Sequence, residues 1–194
     1  MTSRIHLAWL CVLVGATACQ LPYTGGARPI APDELGSGWV RAAQTPVVRQ
    51  RHETDCGLAA LAMVAGTWGR PWSVADLNRQ LPPTERGVQL GALRELARAR
   101  GLEAYAIRGS AGDLERELSS GRPVVLGLVL PFDRSHNASH YEVAVAMNPR
   151  NGDVVTIDPA SGAWRKRTKQ VLELEWRPAG FATLVVVGDH LAVR

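Results

Sequence analysis

Gln50-Arg51-His52-Glu53-Thr54-Asp55-Cys56-Gly57-Leu58-Ala59-Ala60-Leu61-Ala62-Met63 is the stretch on which the fold turns. From Cys56 to Trp68 the pattern predicts a helix, with Leu58, Leu61, Ala62 and Ala65 on one face and Gly69 as its stop. Cys56 then stands at a helix N-terminus. Unpaired N–H groups and the positive dipole end favour a thiolate there. Gly57 removes side-chain bulk beside the sulfur, so a substrate can approach closely. The same position also suits an inert structural cysteine packed on the helix, and the rest of the chain has to decide between the two.

Upstream, Thr45 opens a domain with a short strand at Val47-Val48. Downstream, Ser73-Val74-Ala75-Asp76 has the form of a capping box, and its helix ends before Pro82-Pro83. A third helix is expected from Val88 to Arg100, with Leu90, Leu93, Leu96 and Ala97 inward and Gly101 as its stop. A strand at Leu102 to Ile107 and a short helix at Asp113 to Ser119 follow. The second half then changes character. Pro123 to Leu130 is a nearly continuous apolar run, as in a strand buried on both faces. Tyr141 to Met147 and Val154 to Ile157 flank the turn residues 148–153 and read as a hairpin. A helix at Thr168 to Glu175 and a strand at Phe181 to Val187 close the chain. Helices first and an antiparallel sheet second make the fold class α+β.

His140 stands at the mouth of the Tyr141–Met147 strand, after a polar, loop-like segment from Asp133 to Ser139. Asp158 ends the partner strand, just before Pro159. A hairpin places the start of one strand beside the end of the other, so Asp158 can hold the His140 imidazole in one tautomer. Gln50 precedes the cysteine by six residues, and its side-chain amide can donate to an oxyanion formed at the thiol.

The block from Gln50 to Met63 resembles the cysteine motif of the papain-like bacteriocin-processing peptidases, peptidase family C-39. That family carries a glutamine, then Asp-Cys-Gly, then an Ala-x-Leu-x-Met helix. His140-Tyr141-Glu142-Val143 resembles its histidine motif, and Ile157-Asp158-Pro159-Ala160-Ser161-Gly162 its Asp-Pro motif. The likeness runs from about Thr45 to Val187. It implies a papain-like fold, with N-terminal helices packed on a C-terminal antiparallel sheet, and a cysteine peptidase. Carried over, Cys56 is the nucleophile, His140 the general base and then acid, Asp158 its orienter and Gln50 the oxyanion donor, with no cofactor or metal. Family members fused to transporters cut leader peptides after a glycine pair; this sequence has no transporter segment, which leaves that specificity open.

The chain has 194 residues and three cysteines, too few for a disulfide scaffold. Cys11 and Cys19 both fall near the start. The apolar run from Leu7 to Ala18 has the length of a secretory h-region and is short for a bilayer span. Gly15-Ala16-Thr17-Ala18 before Cys19 resembles a bacterial lipobox, which implies cleavage after Ala18 and acylation of Cys19. Ala16-Thr17-Ala18 also fits an ordinary signal-peptidase site. Residues 1–18 are therefore expected to be a signal peptide, 19–44 a lipidated, Gly/Pro-rich tether containing Thr24-Gly25-Gly26, and 45–194 the peptidase domain. Gln20 after Cys19 suggests the periplasmic face of the outer membrane. Removing residues 1–18 leaves 21 basic against 18 acidic residues, a mild excess that does not point to nucleic acid.

Among other residues, His52 is expected in solvent, and the His136/His140 spacing does not make a zinc site off a helix. Arg165-Lys166-Arg167 with Lys169 reads as a solvated strand face, and Trp68, Trp72, Trp164 and Trp176 as core or lip residues. The expected partners are a peptide or protein substrate, a membrane reached through the lipid, and a secretion-system component. Two other functions fit the same sequence: a silent peptide-binding module, and a related acyl transfer on cell-wall peptides.

Overall fold

The computed structural model describes residues 26–131 and 137–189. The leader, Cys19 and His136 lie outside the described residues. Helix α1 (Cys56–Thr67) runs through the middle of the domain. Of its twelve residues only Gly66 is not buried, so the expected apolar face is in fact a whole apolar cylinder. The reason is cover on every side. α1 packs against the sheet, against α2 (Val74–Gln80) and against α3 (Leu90–Ala99). Pro46 closes on Gly66, where a Cβ would come within 2.4 Å of its ring.

The sheet has eight strands: β1 (Arg28–Pro29), β2 (Val40–Arg41), β3 (Glu103–Arg108), β4 (Val124–Pro131), β5 (Asn137–Met147), β6 (Val154–Ile157), β7 (Trp164–Arg167) and β8 (Ala182–Val187). Its order is β1-β7-β6-β5-β4-β8-β3, with β2 added alongside β5, and every pairing is antiparallel. Helices α4 (Ala111–Ser119) and α5 (Lys169–Trp176) cover the face opposite α1. β4 is buried on both sides as its apolar run required: Val125 faces the α1 core, while Leu126 and Leu128 face α4 and α5. The observed architecture is the α+β arrangement expected, helices on an antiparallel sheet.

The helix ends follow local chemistry. Ser73, Ser110 and Thr168 each accept a backbone N–H from three residues on. Gly69 and Gly101 take positive φ just past α1 and α3. α4 starts at Ala111, two residues before the expected Asp113, because Ser110 is its cap.

Three readings change. Val47-Val48 forms no strand, and Val47 is exposed. β5 begins at Asn137, so His140 lies inside the strand rather than at its mouth. The segment read as a tether contributes β1 and β2 to the sheet, and Leu35 is buried, so from Gly26 onward it is pinned to the domain.

Candidate active site

A 3-10 turn at Glu53–Asp55 leads straight into α1 and sets Cys56 at its first position. Asp55 fixes this turn. Its carboxylate, 1% exposed, accepts the backbone N–H of His52 at 3.1 Å and the side-chain amide of Asn78 at 3.3 Å. The Asp of Asp-Cys-Gly is therefore a brace for the cysteine. Gly57 is small for a packing reason. A Cβ there would lie 3.1 Å from both Leu93 and Tyr141. The Tyr141 ring fills that space and also rests on Gly127. Burial pushes the Tyr141 hydroxyl up to about 12, and a charge on Cys56 adds to the rise, while the backbone N–H of Leu90 opposes it.

Cys56 is buried, 5% exposed, and not in a disulfide. Its side chain lies close enough to the His140 ring to help raise the imidazole, next to Gly57, whose neighbour across the gap is Tyr141. The other side of that ring is fixed: His140 Nε2 lies 2.9 Å from Asp158 Oδ1, which leaves Nδ1 for the sulfur. Burial pulls His140 down. The bond to Asp158, the nearby Cys56 side chain and the charge of Glu142 outweigh it, and the imidazole is raised from 6.5 to about 10. Asp158 is held as a carboxylate. Burial pushes it up, but bonds from His140, Ser161 and the Ala160 N–H prevail and carry it well below the usual carboxylate range. Arg165 Nε adds a fourth partner at 3.0 Å. Every acceptor site of Asp158 is thus directed, and its orientation toward His140 is rigid.

Gln50 reaches the same place. Its backbone N–H donates to Pro159 O at 2.9 Å, tying the loop before Cys56 to the Asp-Pro turn. Its amide nitrogen donates to His52 O at 3.0 Å, and its buried Oε1 has no partner among the described residues. Gln50, His140 and Asp158 line one cavity of about 500 Å³ with Ala27, Arg165 and Arg167. His52 itself is exposed, and it meets this group only through its backbone carbonyl.

Arg167 is the clearest departure from expectation. Read as part of a solvated basic face, it is 1% exposed. It makes a two-pronged pair with Glu142, at 2.7 and 2.9 Å, and a 2.6 Å bond to Glu175 of α5. Burying a cation between two carboxylates keeps it charged, and its pKa rises well above the usual guanidinium value because their charges outweigh burial. A run of basic residues looks alike whether or not it is buried; Glu142 lies 25 residues away, and Glu175, eight residues on, sits on a different element. His140, Glu142 and Asp158 place three donor atoms within 4.8 Å of one another. A cation there would compete with the Arg167 pair on Glu142 and with the His140–Asp158 bond.

A thiol at the N-terminus of a central helix, a histidine on the facing sheet and this layering define a class: the chain is a cysteine peptidase of papain-like fold. It belongs to the Peptidase C39 family, whose family model matches residues 44–185. The chain is 28% identical over 130 residues to a probable microcin-H47 secretion/processing ATP-binding protein of Escherichia coli. That match covers 67% of this chain and 16% of the relative, so the chain spans about a sixth of its length. An uncharacterized protein of Methanothermobacter marburgensis is 31% identical over 62% of this chain and 76% of its own. Among solved structures, a putative C39-like peptidase from Bacillus anthracis matches with TM-score 0.65 and 20% identity, over 78% of this chain and 98% of that one. A double glycine motif protease from an AMS/PCAT transporter, solved with its leader peptide, matches with TM-score 0.59 and 19% identity, over 75% and 93%. At these identities the shared feature is the fold.

Proposed function

We propose that this chain hydrolyses a peptide or protein through a thioester on Cys56. The observation that carries the reading is His140, bonded to Asp158 at 2.9 Å on the strand that packs against the N-terminal end of α1, where Cys56 sits and Gly57 meets Tyr141. With His140 protonated and Asp158 ionised, the pair stabilises a thiolate poised to attack a carbonyl. The Cys56 backbone N–H and the Gln50 amide receive the oxyanion. Only one of the two amide protons of Gln50 is needed for His52 O. His140 gives its proton to the leaving amine and then takes one from water, which hydrolyses the thioester. Asp158 acts through His140 and is a positioning residue.

The double-glycine motif named for the transporter-derived relative is the first substrate class for this site. The lipobox-like Cys19 supports a lipid-anchored protein working on the extracytoplasmic face, near a secretion partner. Cys19→Ser is expected to move the protein to the soluble fraction, and continued membrane association would count against the anchor. Iodoacetamide at neutral pH is expected to label Cys56 faster than it labels free cysteine. Double-glycine peptides incubated with the wild type and with Cys56→Ala, read by mass spectrometry, test turnover. Equal cleavage by both removes the peptidase reading of Cys56, and cleavage by neither removes the double-glycine substrate.

A further inference from the structure

The chain contains a single Gly-Gly pair, Gly25-Gly26, followed by Ala27. The structure brings Ala27 beside the His140–Asp158 pair. Ala27 lines the cavity that also holds Gln50, His140 and Asp158. The next residues, Arg28 and Pro29, form β1 and pair with Lys166 and Arg165 of β7, and the Ile30 N–H donates to Trp164 O at 3.1 Å. The chain after Ala27 is thus held extended along a sheet edge, the way a strand-adding peptide is bound. Arg165, on β7 beside it, bonds Asp158.

Gly26 is fitted closely. A Cβ on it would lie 2.4 and 2.7 Å from the two methyl groups of Val171, so no larger residue sits there without displacing α5. Its N–H donates to Glu175 Oε1 at 3.0 Å, and Glu175 is the buried partner of Arg167. A two-residue strand is a weak hold, so this docking can exchange with a pose in which Gly26 enters the cavity.

We propose that the chain cuts its own Gly26–Ala27 bond and so frees the domain from everything that precedes Ala27. The inference rests on the peptidase reading above. The Cys56 sulfur bonds to the Gly26 carbonyl carbon and the Gly26–Ala27 C–N bond breaks. Ala27 leaves as an amine with a proton from His140. Water then hydrolyses the thioester, giving a Gly26 carboxylate and restoring the thiol and the imidazole. One water is consumed and no other reactant is needed. If Cys19 carries the lipid, this one cut converts an anchored protein into a released one.

The test is intact mass and N-terminal sequencing of the full-length chain after incubation. The expected result is conversion of the wild type to a chain starting at Ala27, with complete loss of conversion in Cys56→Ala and Gly25→Val. Iodoacetamide labelling of Cys56 reads the site separately. An uncut wild-type chain whose Cys56 is labelled faster than free cysteine overturns the self-cleavage and leaves the peptidase reading standing. An uncut chain with slow labelling overturns both. Equal cutting of the wild type and Cys56→Ala assigns the cut to another protease and overturns the proposal.

Discussion

Replacing Asp158 with Asn isolates the charge that holds His140 protonated. The imidazole is raised to about 10, so at pH 8 it is roughly 99% protonated. Asn keeps the volume and one carbonyl oxygen but removes the negative charge. Burial, which pulls the other way, then acts against fewer partners. If His140 returns only to its ordinary 6.5, its protonated share at pH 8 is about 3%. The share of enzyme with a protonated His140 to support the thiolate therefore falls about thirtyfold at pH 8. At pH 6 about three quarters of the imidazole is still protonated, and the loss is under about twofold. The sign follows from the direction of the shift: a base raised by its partner loses the benefit as pH climbs past the lowered value. kcat/KM for a double-glycine peptide, measured at both pH values, reads the effect, and so does the rate of Cys56 alkylation. A loss of equal size at pH 6 and pH 8 would refute the reasoning. It would mean that Asp158 serves only to shape the turn that also binds Ser161, Arg165 and the Ala160 N–H.

Gln50→Ala is expected to lower kcat by about 10²–10³ with KM nearly unchanged, as for loss of one oxyanion donor; a change confined to KM would place Gln50 in substrate binding instead. Arg167→Met leaves Glu142 and Glu175 buried without their cation, which costs roughly 3–5 kcal/mol. Urea unfolding measures it, and adding Glu142→Gln and Glu175→Gln is expected to restore part of the loss; a loss under about 1 kcal/mol for the single variant would refute the buried triad. Gly57→Val forces atoms against Leu93 and Tyr141 and is expected to destabilise by about 1–3 kcal/mol while cutting activity; an equally stable, fully active variant would show that the contact relaxes freely.

What the sequence made legible was local. Ser73 and Gly69 act within a few residues of themselves, so the helix they start or stop can be read along the chain. The His140–Asp158 contact was also legible, because a hairpin converts sequence order into spatial order and Val143 pairs with Ile157 beside it. His140 was misplaced by the strand start alone. Asn137-Ala138-Ser139 has the composition of a loop, yet these residues pair with Val129 to Pro131 of β4. Backbone pairing with an apolar neighbour outweighs weak strand propensity.

What was not legible depended on long-range partners. Trp164–Arg167 carries three adjacent basic residues and looks solvated, but β7 lies between β6 and β1 and turns Arg167 toward α5. The same strand pairs with the Gly/Pro-rich segment before Val40, whose composition suggested slack chain. These two errors have one cause. If β1 were absent, β7 would be an exposed edge, and a basic edge strand is how sheets are kept from pairing with other chains. β1 covers that edge with only two residues, so the cover is weak enough to be displaced and close enough to reach the cavity. Arg167 is then best understood as the anchor of this edge. It ties β7 to β5 through Glu142 and to α5 through Glu175, and Glu175 in turn holds Gly26. A rigid strand under a loosely held strap is what a peptide-binding edge beside a peptidase site requires.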